Sequence, residues 1–194
     1  MTDEVMEHIR RQINALYPLE NGVLNALMSS WETIEVKRKT VLTREGECEG
    51  YLYLVLEGVQ HAVCMYGNKE ATLVFTYPYS FSGVLDSFLM QRPSAYRLET
   101  LTSSRLLRLP YRRLMELVRE YPPLETWLWN ALAGVLAGAL QRQAELLTFN
   151  AAEKFTALLQ RSPQVLNLIP HKYLASYIGV DAATFSRMLG SIRV

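Results

Sequence analysis

An α+β chain in three consecutive parts is predicted here, and three observations carry the prediction: helical spacing at both ends, a central run of short strands set between glycines, and one long apolar helix after that run. Residues 33–109 are rich in Val, Leu, Tyr and Thr and are punctuated by Gly46, Gly50, Gly58, Gly67, Pro78 and Gly83. β-branched and aromatic residues between turn-formers read as strands, and many short strands at regular spacing indicate a roll, barrel or sandwich. At 194 residues the chain is long enough for one large core and a small satellite. A hydrophobic share of 49% against 20% charged excludes a largely disordered polymer.

Before residue 32, Met6, Ile9, Ile13 and Leu16, then Leu24, Leu27 and Met28, recur at three- and four-residue intervals around a break at Pro18 and Gly22. Two short helices are expected there. Within the strand region, Lys37 to Leu42 reads as a basic strand leading to a turn at Glu45-Gly46-Glu47, and Tyr51 to Leu56 as a strand closed by Glu57-Gly58. After Pro110 the helical period returns with Leu114, Leu117, Val118 and Tyr121, and Pro122-Pro123 ends one helix and opens another. That next helix, Leu124 to about Leu147, carries apolar or small residues on more than one face, so a single neighbour cannot cover it. Leu128, Val135 and Arg142, with Leu124, Ala131 and Gly138 between, form a near-heptad seam, and a homodimer through this helix is expected.

Several function classes are excluded at this stage. The longest apolar stretch, Trp127 to Leu140, is broken by Asn130 and falls short of the roughly 20 residues that cross a bilayer. With Asp3, Glu4, Glu7, Arg10 and Arg11 the N-terminus lacks signal-peptide character, so a cytoplasmic location and no membrane partner are expected. Cys48 and Cys64 cannot supply four thiolates to a cluster. His8, His61 and His171 show no metal-ligand spacing, and no nucleophile motif or phosphate loop is present, so neither an enzyme nor a cofactor is expected. The formal net charge is only +1, yet from Gln141 onward Arg142, Lys154, Arg161, Lys172, Arg187 and Arg193 outnumber Glu145, Glu153 and Asp181, which makes the tail mildly basic.

The most informative segment runs from Ile169 to Leu189. Leu174, Ala175 and Ile178 mark the inward face of a short helix, Gly179 a sharp turn, Val180 a plug in the angle, and Asp181 the cap of a second helix. This is a helix-turn-helix pattern. Following a β-roll and a long helix, it resembles the Crp/Fnr family of transcription regulators over essentially the whole chain, and the strand region resembles that family's cyclic-nucleotide-binding domain. The resemblance implies an α+β architecture: a jelly-roll sensor domain over residues 1–122, a dimerisation helix over 123–148 and a small all-helical DNA-binding domain over 149–194.

It further implies that the second helix enters the major groove with Ala182, Ala183, Ser186 and Arg187 facing bases and Thr184 beside them, while His171, Lys172 and Ser176 meet phosphates. Arg187 stands where the family places an arginine able to bond a guanine edge. Ala182 and Ala183 depart from more polar family residues, so thymine methyls or DNA shape supply part of the readout. The hairpin wing that follows in the family is expected to be missing, because Gly190-Ser191-Ile192-Arg193-Val194 closes the sequence. Two copies would select a palindromic operator in double-stranded DNA.

For the sensor, the resemblance implies an effector pocket at Phe81, Gly83, Val84, Arg92, Ser94, Ala95 and Tyr96. Phe81, Gly83, Ser94 and Ala95 match the family frame. Val84 stands where a ribose-binding glutamate is expected and Pro93 where a phosphate-binding arginine is expected, with Arg92 one residue away. Losing both anchors argues against cyclic AMP and leaves an unknown small-molecule effector, a roll filled by its own side chains, or constitutive action. The competing reading is a dimeric sensor or partner-binding module that has lost its grip on DNA.

Overall fold

The computed structural model describes residues 3–67 and 69–191. Two helices, α1 (Asp3–Leu16) and α2 (Asn21–Ser29), lead into eight strands: β1 (Glu32–Val36), β2 (Val41–Thr43), β3 (Tyr51–Glu57), β4 (Gln60–Tyr66), β5 (Lys69–Thr76), β6 (Phe81–Ser82), β7 (Arg97–Thr100) and β8 (Ser104–Pro110). A short helix, α3 (Leu85–Met90), is inserted before β7. Then follow α4 (Tyr111–Glu120), α5 (Pro123–Thr148), α6 (Ala151–Arg161), α7 (Val165–Leu168), α8 (His171–Ile178) and α9 (Ala182–Ser191).

The strands form two antiparallel four-stranded sheets, in the orders β1-β8-β3-β6 and β2-β7-β4-β5, facing each other as an α+β roll. Alternation along β3 shows how the chain divides its side chains. Tyr53 and Val55 point into the roll with Ala62, Val84, Leu98 and Leu106, whereas Leu52, Leu54 and Leu56 point the other way into a helical layer with Ile9, Ile13, Leu27, Phe88, Leu114, Leu117, Leu124 and Trp127. Both faces of β3 are therefore buried, which explains its uninterrupted apolar run. Each such side chain contributes about 1.5–3 kcal/mol of burial.

Two strand-region expectations are corrected. Lys37 to Leu42 is not one basic strand: β1 ends at Val36, Lys39 turns at φ 63°, and β2 begins at Val41. The break moves the chain from one sheet to the other, and Thr100 holds it, accepting Lys39 N–H at 2.8 Å on its carbonyl and donating its hydroxyl to the Lys37 carbonyl at 2.7 Å. Residues 85–90 are helix where strands were expected, because Leu85, Phe88 and Leu89 meet the helical layer at i, i+3 and i+4 spacing. The turn after β3 needs glycine: Gly58 sits at φ +90°, and a Cβ there would lie 2.6 Å from the Ser103 carbonyl.

Helix α5 is anchored at its two ends and bare between them, the far end being held through buried Glu145. Leu124 and Trp127 are buried, Trp127 Nε1 donates to the Ile13 carbonyl at 3.0 Å and Asn130 Nδ2 to the Leu16 carbonyl at 2.8 Å. Residues 133–140, none with a polar side chain, are all exposed on the single chain. Among the described residues no helix is long and apolar enough to cross a membrane. The expectation of a missing wing falls on residues 192–194, outside the described residues.

Candidate nucleic-acid interface and sensor cavity

The C-terminal helices fold around Phe155, Leu158, Val165, Leu174, Ile178 and Phe185, with Phe155 and Phe185 edge to face at 5.2 Å. Gly179 turns the chain at φ +73°, and the Val180 N–H closes on the Ala175 carbonyl at 3.0 Å. Asp181 caps α9: its carboxylate accepts the Thr184 N–H and the Thr184 hydroxyl, each at 2.8 Å, and the two bonds hold the Asp181 carboxyl below its usual range.

With Phe185 turned inward, Ala182, Ala183, Ser186 and Arg187 lie together on the opposite, exposed face of α9. Arg187 Nη2 donates to Thr184 Oγ1 at 3.0 Å, so cap and guanidinium form one chain of hydrogen bonds. His171 and Lys172 are exposed at the start of α8, His171 with its ring 5.5 Å from that of Phe185. Ser176 stands apart from this group. Its hydroxyl accepts the Thr72 N–H of β5 at 3.0 Å.

The residues expected around an effector are not gathered into one site. Val84 and Tyr96 contribute to the apolar filling of the roll. Phe81 faces the other way, 5.6 Å from Trp127 in the helical layer. Arg92 and Ala95 are exposed, and the buried Ser94 hydroxyl is used within its own turn, donating to the Tyr96 carbonyl at 2.7 Å and accepting the Tyr96 N–H at 2.9 Å. Gly83, at φ +140°, brings the chain past the Tyr51 carbonyl, 3.3 Å from where a Cβ would lie.

A carboxylate that sequence reasoning passed over lies beside Val84. Glu49 is 1% exposed, and it accepts the Thr43 hydroxyl, the Tyr51 N–H at 3.1 Å and the Val84 N–H at 3.3 Å. Burial raises its pKa despite those bonds. The amide of the residue standing in for the family glutamate is thus already bonded to an internal carboxyl group. Because the folded-state pKa is raised, the contribution of Glu49 to stability is present below its unfolded pKa and lost as pH rises through the folded one. Glu49→Gln is therefore expected to gain stability relative to the unmodified chain as pH rises above the unfolded carboxyl pKa of about 4.3. Thermal unfolding across that range checks it, and a difference independent of pH would contradict it.

Residues 33–121 match the family Cyclic nucleotide-binding domain. Among solved structures, CLP of Xanthomonas campestris, a c-di-GMP responsive global regulator, is 18% identical with a TM-score of 0.68, over 89% of this chain and 91% of that one. FixK2 of Bradyrhizobium japonicum is 15% identical with a TM-score of 0.74, over 83% of each chain. A transcriptional regulator of the Crp/Fnr family from Eubacterium rectale is 15% identical with a TM-score of 0.68, over 91% of this chain and 87% of that one. The chain has the Crp/Fnr regulator fold. No curated protein sequence matches it. Within the Crp/Fnr fold the matched domain covers the roll and α4, from the second residue of β1 to the end of that helix.

Proposed function

We propose that this chain is a DNA-binding transcription regulator of the Crp/Fnr type. It acts as a homodimer through α5 on a two-fold-symmetric operator, and its control is constitutive or exerted by an effector other than cyclic AMP. The observation that carries the reading is the exposed face of α9, where Ala182, Ala183, Ser186 and Arg187 stand clear of a helix held by the Gly179 turn and the Asp181 cap. Such a helix meets base edges while His171 and Lys172 at the head of the preceding helix meet phosphates. The effector reading is supported by the exposed Arg92, the self-bonded Ser94 and the buried Glu49 beside Val84.

The histidines support a regulator rather than an enzyme: His8 lies 4.0 Å from the Tyr79 ring, His61 is buried against Phe75 and Tyr173, and His171 sits on Phe185. Among the described residues no group of three or more His, Cys, Asp or Glu side chains could hold a metal ion.

Selection from a random duplex library at low salt tests the proposal. Enrichment of a palindrome with salt-sensitive affinity is the expected result. Arg187→Ala should then weaken binding to that palindrome by about 1–3 kcal/mol, roughly five- to 150-fold, and relax selectivity at one base pair of each half-site. Unchanged affinity would remove Arg187 from the interface. The competing sensor module is favoured by the two alanines, which offer bases no hydrogen bond, and it predicts no enrichment at all.

A further inference from the structure

Helix α8 is covered on two sides. Its inner face, Leu174, Ala175 and Ile178, packs on Phe155 and Phe185. Its outer face lies on the roll. The Ser176 hydroxyl accepts the Thr72 N–H at 3.0 Å and donates to the Glu70 carbonyl at 3.4 Å. Around that pair, the Tyr173 ring meets His61 edge-on at 4.9 Å and the Tyr177 ring meets Phe75 at 5.2 Å. Arg142 of α5 closes the far side, its guanidinium 4.0 Å over the Tyr177 ring and bonded to the Tyr177 carbonyl.

His61 is 1% exposed and its Nε2 has no hydrogen-bond partner. Burial, opposed by Glu70 and reinforced by Arg97 and Lys172, holds its pKa down to about 4, so the seam contains a neutral imidazole.

We propose that the contact between α8 and β5 is an intramolecular latch that withholds the helix pair from DNA, an inference that rests on the DNA-binding reading above. In a helix-turn-helix the first helix crosses the phosphate backbone while the second enters the groove. The side of α8 left for that crossing, once Leu174, Ala175 and Ile178 are buried, is the side the roll covers. Release conserves hydrogen bonds: the Ser176 hydroxyl, the Glu70 carbonyl and the Thr72 amide all return to water. Docked and released states differ by these hydrogen bonds and by the packing of Val59, Phe75 and Leu101 against the helices, a gap that contacts to DNA must exceed and that a single substitution can shift.

The test uses the full chain, the palindromic duplex recovered by selection, and fluorescence anisotropy. Ser176→Ala removes the catch in a residue that helices tolerate, and should tighten DNA binding roughly fivefold, the worth of one ordinary hydrogen bond. His61→Ala removes the ring on which Tyr173 packs, from the roll side and without altering any residue of the helix pair, and should also tighten binding. If Ser176→Ala binds more weakly, the hydroxyl is a phosphate ligand and the latch is overturned. Unchanged affinity in both variants overturns it too. A wild type that binds alongside variants that gain nothing removes the latch alone, whereas failure of wild type and both variants on every duplex removes it together with the reading beneath it.

Discussion

Val135→Glu is expected to turn a dimer into a monomer. Residues 133–140 are exposed along about two turns of α5 without one polar side chain, and Val135, Leu136 and Leu140 are 51%, 61% and 57% exposed. Apolar surface of that extent on one helix marks an interface. A groove of about 310 Å³ beside it, walled by Leu16, Phe81, Leu89, Leu128 and Val135, continues the same surface toward the roll. Two-fold symmetry places each substitution in the contact twice, so two unpaired carboxylates would be desolvated together. A loss of at least about 3 kcal/mol follows, more than a hundredfold in the dimer dissociation constant. Affinity for a palindrome should fall with it, since the second half-site is then no longer tethered. Sedimentation checks the first effect, and a variant that still sediments at twice the mass of one chain would refute dimerisation through α5.

Glu145→Ala is expected to loosen the C-terminal helices from α5 at a cost of about 2–3 kcal/mol. Glu145 is 3% exposed and holds two arginines, accepting Arg161 in bidentate fashion at 2.9 and 3.1 Å and Arg142 at 3.3 Å. Those bonds, Arg161 first, keep its carboxyl below the ordinary range. Removing the carboxylate leaves Arg142, only 12% exposed, with an uncompensated charge between α5 and Tyr177. Because the folded-state pKa is depressed, this stabilisation is present above the unfolded pKa of Glu145 and lost as pH falls through the folded one. The gap between wild type and variant should therefore close in acid. Denaturant unfolding measures it, and a gap that persists below the folded pKa would show that the ion pairs are not its source.

What the sequence revealed and what it concealed divide along range. Gly179, Asp181, Pro123 and the Leu114 and Leu117 stripe act within a turn or two of their own helices, and each does so in the structure. The break at Lys39 depends on Thr100, far along the sequence, and helix α3 is secured by a layer built from the helices before and after the roll. Placement of the candidate residues followed the same rule. The exposed face of α9 is the one the family resemblance implied, whereas the involvement of Ser176 with Thr72 and of Val84 with Glu49 arises only when distant segments meet. No spacing rule singles out Glu49 from Glu45 and Glu47, its neighbours in a stretch with the look of a surface turn.

Strand β5 has a further consequence. It stands at the border of its sheet, hydrogen-bonded to β4 on one side, with Leu73 and Val74 partly open to water. Such a border invites strand addition from another molecule. By engaging the Thr72 amide on that border, α8 covers part of it, and the C-terminal helices thereby shield the roll from strand addition. Severing the two halves would cost each of them something: the roll its guard, the helices a share of their core.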